Sequence, residues 1–145
     1  MENDRMGYNR NLKILIDTNI LLYIYNGLDP FFGIITSFNY KPEFYIHINV
    51  LKELELLNEK YKNRFVIPAK VRMAKKYLDT YKNMWILIRD YEELPTDEAL
   101  IMTAIKYNMF IFTNDKELKN KAIKKGIGVI FLQKRGKIIK SLYPI

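Results

Sequence analysis

The chain has 145 residues, 49% of them hydrophobic, which is enough for one domain with a substantial core and excludes a disordered or low-complexity class. It contains no Cys and one His, so a disulfide scaffold, an iron–sulfur cluster, a thiolate zinc site and a Cys nucleophile are excluded. Residues 1–100 hold 14 Lys/Arg and 14 Asp/Glu, whereas residues 101–145 hold 10 Lys/Arg and 2 Asp/Glu, so the whole excess of +8 sits in the last third and points either to a polyanionic partner such as nucleic acid or to a solvated Lys-rich helix.

Along the chain, short apolar runs alternate with segments of helical spacing. Residues 1–11 are polar and carry both charges, unlike a signal peptide, and read as a flexible N-terminal extension. Leu12–Ile16 reads as a buried strand, and its continuation to Tyr25 is interrupted by Lys13, Asp17 and Asn19, too polar to span a bilayer. The protein is expected in the cytoplasm, with no membrane partner. Phe44–Ile48 is the second strand. Val50, Leu54, Leu57 and Tyr61 then recur at i, i+4, i+7 and i+11, and Val71, Ala74, Leu78 and Tyr81 at i, i+3, i+7 and i+10. Met84–Ile88 reads as a third buried strand. Leu100, Ile101, Ala104 and Ile105 share one face of a helix that starts near Pro95, with Thr96 as its N-cap. Met109–Phe112 and Gly128–Leu132 complete the buried strands. Arg135-Gly136 turns the chain into an edge-like strand at Lys137–Leu142, so 133–145 is a basic C-terminal strand or tail.

Alternating strands and helices imply an α/β fold with a parallel sheet covered on both faces. Ligands in such folds sit outside the carboxyl ends of the strands, where the strand order reverses. The first strand ends in Asp17-Thr18-Asn19 and the fourth in Thr113-Asn114-Asp115. Helical phase puts Asp97 in the middle of an apolar face and Glu98 at its edge. Glu53 flanks the stripe of Val50, Leu54 and Leu57, while Glu55 falls on the far side as a surface acid. Asp115 opens a helix and faces inward with Leu118 and Ala122. As plainer roles, Asp97 and Asp115 could cap their helices and Glu53 could join a boundary salt bridge.

Acids from four segments can therefore meet at one end of one sheet. Converging carboxylates need a cation, and oxygen donors without His or Cys select Mg²⁺ or Mn²⁺. Such a site suits phosphodiester hydrolysis, with the basic third holding the substrate backbone through Lys121, Lys124, Lys125, Lys134, Arg135 and Lys137. His47 is expected to be packed or edge-exposed, Trp85 to be core, and Tyr23, Tyr25, Phe31 and Phe32 to pack helices or a subunit interface.

These residues resemble the PIN-domain ribonucleases. Ile14-Leu15-Ile16-Asp17-Thr18-Asn19-Ile20-Leu21-Leu22 is similar to the family's opening motif, and Val50-Leu51-Lys52-Glu53-Leu54 to its second. Asp97 through Ala104 resembles the third motif, and Phe112-Thr113-Asn114-Asp115-Lys116-Glu117-Leu118 the fourth. The step of 18 residues from Asp97 to Asp115 fits as well. The segment from Tyr61 to Tyr91 aligns to no motif.

The resemblance implies one PIN-like domain over residues 1–145, a three-layer sandwich with a central parallel sheet of about five strands. It implies a metal-dependent endoribonuclease, with one or two Mg²⁺ or Mn²⁺ ions held by Asp17, Glu53, Asp97 and Asp115. Thr113, and Thr18 or Asn19, would orient waters or carboxylates. Asn114, Glu98 and Glu117 would stand behind them, Glu117 as an outer acid at most. Implied partners are RNA and either a cognate antitoxin, for a toxin of a toxin–antitoxin pair, or a ribosomal precursor particle, for an RNA-processing nuclease. A homodimer is also implied. The rival expectations are a catalytically weak PIN-fold RNA-binding or scaffold protein and a nuclease acting on DNA. A haloacid-dehalogenase-like phosphatase needs a second Asp where Asn19 stands, and a receiver domain needs a phosphoacceptor where Asn49 and Val50 stand.

Overall fold

The computed structural model describes residues 12–133 and the backbone of 139–142. The expected N-terminal extension, most of the basic tail, and the side chains of Lys134, Arg135 and Lys137 lie outside the described residues. Strand β1 is Lys13–Ile16, where Ile14, Leu15 and Ile16 are fully buried. Burying side chains of this size contributes about 1.5–3 kcal/mol each, which places the strand at the centre of the sheet. Asp17 caps the short helix α1, Thr18–Leu22, and a 3₁₀ turn at Tyr23–Asn26 closes on Gly27, whose φ of 101° suits a residue without Cβ. Helix α2, Pro30–Phe38, starts with Asp29 as N-cap and Pro at its first position. Phe31 is buried against Phe44 and Tyr77, and Phe32 lies edge-on to Tyr81, whereas Tyr25 is exposed.

Strand β2, Glu43–His47, leads directly into α3, Ile48–Lys60. Helix α4, Val66–Thr80, follows, and a 3₁₀ turn leads into β3, Trp85–Ile88. Helix α5, Thr96–Tyr107, precedes β4, Phe110–Phe112, and α6, Lys116–Lys124, precedes β5, Val129–Leu132. Strand β6, Ile139–Leu142, pairs antiparallel with β5.

The strand order is β3-β2-β1-β4-β5-β6, with the first five parallel. Helices cover both faces, giving the α/β sandwich expected from the alternation. The chain moves outward from β1 to β3, then returns to the other side of β1 at β4. The order therefore reverses between β1 and β4, where Ile16 pairs with Phe112. Gly128, just before β5, is required by a close approach, because a Cβ there would stand 2.6 Å from the Phe110 ring.

Four local readings are corrected. The run at 84–88 is an edge strand rather than a buried one, and Ile86 and Leu87 are 52% and 40% exposed, because β2 covers only one of its sides. Ile105 is 48% exposed and leaves the face shared by Leu100, Ile101 and Ala104, while the buried polar Thr103 joins the inner side. Pro95, not Thr96, occupies the N-cap of α5, with no side-chain cap bond. Trp85 is only partly buried, and its indole N–H donates to the Leu78 carbonyl. Among the described residues, no helix is long and apolar enough to cross a membrane.

Candidate functional site

The carboxyl ends of β1 and β4 hold the most constrained charge in the structure. Asp17 leaves β1 with its N–H bonded to the Phe112 carbonyl at 2.9 Å, so the β1–β4 ladder delivers it to the switch point. It is 6% exposed. Its Oδ1 accepts from the Thr18 N–H at 2.7 Å and its Oδ2 from the Thr113 hydroxyl at 2.7 Å. Thr113 is fully buried, and its oxygen also accepts from the Asp115 N–H at 3.0 Å. One hydroxyl thus ties the first acid to the segment that carries the last. Despite these bonds, burial pushes the Asp17 carboxyl up from 3.8 to about 6, with Asp97 and Glu53 adding to the rise. Loss of water outweighs two good donors here.

Glu53, half-buried on α3, accepts from the Thr18 hydroxyl at 2.6 Å. That bond joins the start of α1 to the acid on α3. Asp97 stands half-buried in the first turn of α5, two residues after the cap, and caps nothing. Burial raises its pKa first, then the charges of Asp115, Glu53 and Glu117, while Lys121 opposes them. Glu98 is exposed, so helical phase separates the two neighbours as their spacing predicts. Asp115 caps α6, its Oδ1 accepting from Leu118 N–H at 3.0 Å. Its capping role and its proximity to Asp97 coexist, because a capping carboxylate retains a second oxygen.

Asn19 and Asn114 hold the loops. Asn19 accepts from the Asn114 N–H at 3.3 Å, and Asn114 accepts from the Leu132 N–H at 2.9 Å. Glu117 is exposed and lies 3.9 Å from Lys121 one turn on. Lys121 is near enough to act on Asp97. Lys124 and Lys125 stand at the far end of α6, and Lys125 lines a pocket with Asn108 and Phe110 at the opposite end of the strands. Glu55 is exposed and paired with Lys75 at 2.6 Å.

Thr18 thus links Asp17 to Glu53, and Thr113 links Asp17 to the Asp115 backbone, while the charges of Asp115 and Glu53 raise the Asp97 pKa. Among the described residues, however, no three acids stand close enough together to form a ready-made ligand cluster. The donor set still fits a hard cation by its chemistry. It is oxygen only, it carries raised carboxyl pKa values, and it excludes His47, both of whose ring nitrogens are engaged elsewhere.

That engagement is what sequence reasoning missed. His47 is fully buried at the N-cap of α3, and Asn49 is buried in its first turn. Both bond across to the loop between β3 and α5. The available signal was a lone His at a strand-to-helix junction followed two residues later by Asn.

A doubly wound α/β sandwich with a buried carboxylate at its switch point is the class that fold and site define. A family model described as a PIN like domain matches residues 14–135, and the chain belongs to the PIN-domain family. Ribonuclease VapC9 of Archaeoglobus fulgidus is 32% identical over 142 residues, covering 98% of this chain and 98% of that protein. Ribonuclease VapC4 of Methanocaldococcus jannaschii is 30% identical over 125 residues, covering 85% of this chain and 92% of that protein. Among solved structures, the PIN domain endonuclease Utp24 matches with a TM-score of 0.67 at 22% identity, over 92% of this chain and 94% of that one, a likeness of fold.

Proposed function

We propose that residues 1–145 act as one PIN-type, metal-dependent endoribonuclease that cleaves single-stranded RNA, in the manner of a toxin held by a cognate antitoxin. The observation that carries this reading is the hydrogen-bonded junction at the switch point, where Thr18 bonds both Asp17 and Glu53 and Thr113 bonds both Asp17 and the Asp115 backbone. Two ribonuclease relatives aligned over most of the chain support it. Asp17, Glu53, Asp97 and Asp115 would hold one or two Mg²⁺ or Mn²⁺ ions. When bound, such an ion supplies Lewis acidity at the phosphate and relief of the charge crowded in the cleft.

The protein's own groups then have distinct tasks. Thr113 and the Thr18 amide fix both oxygens of Asp17, so that carboxylate points one way. The Thr18 hydroxyl orients Glu53. Lys121 on the rim, with the other basic residues of the last third, would draw in the RNA backbone without reading bases. Cleavage of an unstructured RNA should require Mg²⁺ or Mn²⁺ and cease with EDTA. Undiminished cleavage in EDTA would sink the reading.

A further inference from the structure

The strongest organised feature outside the acids is the polar cluster between α3 and the 89–95 loop. His47 Nδ1 accepts from the Asn49 N–H at 3.0 Å, and its Nε2 lies 2.6 Å from the Asp90 carbonyl oxygen. An amide N–H can only donate and a carbonyl can only accept. The ring is therefore specified as the neutral tautomer with its proton on Nε2. Asn49 spends both amide hydrogens on the same loop, donating to the Glu92 carbonyl at 3.2 Å and the Leu94 carbonyl at 3.1 Å.

From the other side, α5 grips Asp90. The Thr103 hydroxyl donates to the Asp90 carbonyl at 3.3 Å, and Lys106 and the Tyr107 hydroxyl bond its carboxylate at 2.8 and 2.9 Å. Between these holds the backbone passes through Tyr91 at φ 61°, a left-handed conformation disfavoured for a Tyr and sustained only where its neighbours dictate it. His47, Asn49 and Thr103 are all buried, so each bond acts in a low dielectric.

The two helices joined through Asp90 are the ones that carry Glu53 and Asp97. Glu53 lies four residues after Asn49, one turn along α3. Asp97 lies three residues after Leu94, in the first turn of α5. We propose that His47 and Asn49 are positioning residues: a buried clamp that ties the 89–95 loop to α3 and so sets the separation of Glu53 and Asp97. The clamp touches no substrate. It rests on the reading of these acids as the working set of the nuclease.

Two substitutions at one position separate this role from helix capping. His47→Asn retains an acceptor where Nδ1 sits, so α3 keeps its cap, but the side chain is too short to reach Asp90. His47→Gln retains a donor at the reach of Nε2 and gives up the cap. Asn49→Leu removes both loop bonds at similar volume. The full chain is measured for amide hydrogen exchange over residues 90–97, Mn²⁺ affinity, and cleavage of an unstructured RNA.

In His47→Asn and Asn49→Leu, exchange over 90–97 should rise by at least about tenfold while β1 and β4 stay protected. Turnover and Mn²⁺ affinity should fall by about tenfold with KM for RNA unchanged, as for loss of alignment rather than of substrate contacts. His47→Gln should restore all three readouts to within about threefold of the starting protein. The proposal is overturned if His47→Asn exchanges and turns over like the unsubstituted chain. It is equally overturned if His47→Gln is as impaired as His47→Asn, since the donor to the Asp90 carbonyl would then restore nothing. If the unsubstituted chain neither binds Mn²⁺ nor cleaves RNA, the nuclease reading fails. The exchange data then decide the clamp by themselves, a rise supporting it and no change overturning it.

Discussion

At the ends of β1 and β4, Thr18 and Thr113 surround a carboxylate. At the end of β2, His47 and Asn49, with Thr103 from α5, surround backbone carbonyls. Both clusters are buried and both are hydrogen-bonded, yet they differ in what burial does to them. The carbonyl cluster is neutral, and every donor in it faces an acceptor, so dehydration strengthens its bonds. The Asp17 cluster encloses a charge, and two donors do not offset the lost water, so its pKa climbs to about 6. The neutral cluster can fix a loop in place. The charged cluster stays poised to accept a counter-charge. The contrast separates scaffold from site more clearly than residue type does.

The largest effect that should break this contrast is removal of the Asp17 charge. Asp17→Asn should lower cleavage by roughly 10²–10⁴-fold, comparable to loss of a positioned acid–base group. The same change should leave the fold intact or make it more stable. The folded state binds the Asp17 proton more tightly than the unfolded chain does, because its pKa is raised from 3.8 to about 6. Its stabilising effect is fully present below about pH 4 and is lost as pH rises through about 6. Urea denaturation of the metal-free chain should thus show stability falling by up to about 3 kcal/mol across that window. Asp17→Asn should flatten the slope, and a slope of opposite sign in the unsubstituted chain would contradict the account.

Thr113→Val should have the next largest effect. It removes the donor to Asp17 and the acceptor of the Asp115 N–H at nearly constant volume. A loss of about 1–3 kcal/mol in denaturation is expected, with the stability decline in the pH 4–6 window shifted upward as Asp17 loses a donor. At the small end, Glu55→Gln breaks only an exposed pair with Lys75. It should change stability by less than about 0.5 kcal/mol and leave cleavage untouched. A large effect there would mean that acids outside the switch point matter as well.

The charged cluster was far more legible in the sequence than the neutral one. An Asp ending the Ile14-Leu15-Ile16 run announces itself, because a carboxylate at the end of a central buried strand loses most of its water even where it also caps the next helix. Asp97 was separable from Glu98 because 100° of helical phase distinguishes an inner from an outer position. The parallel sheet followed from alternation alone. The clamp was illegible because its acceptors are backbone carbonyls 43 residues from His47 and 43 and 45 from Asn49, and backbone carbonyls have no residue signature. The exposure of Ile86 and Leu87 was hidden for a related reason. Whether an apolar strand is central or at the edge depends on which strands arrive beside it. Pro95, in an extended conformation, holds the cap position one residue before Thr96, a shift of the kind helix boundaries read from sequence commonly carry.

The central claim is that these four acids are one cation-binding unit. Calorimetric titration of Mn²⁺ tests it most directly, applied to the unsubstituted chain, to Asp17→Asn, Glu53→Gln, Asp97→Asn and Asp115→Asn, and to Glu55→Gln as control. The account predicts binding of one or two ions to the unsubstituted chain and to Glu55→Gln, with each of the other four changes weakening affinity by at least about tenfold. Unchanged Mn²⁺ affinity in all four, or loss in Glu55→Gln alone, would contradict it.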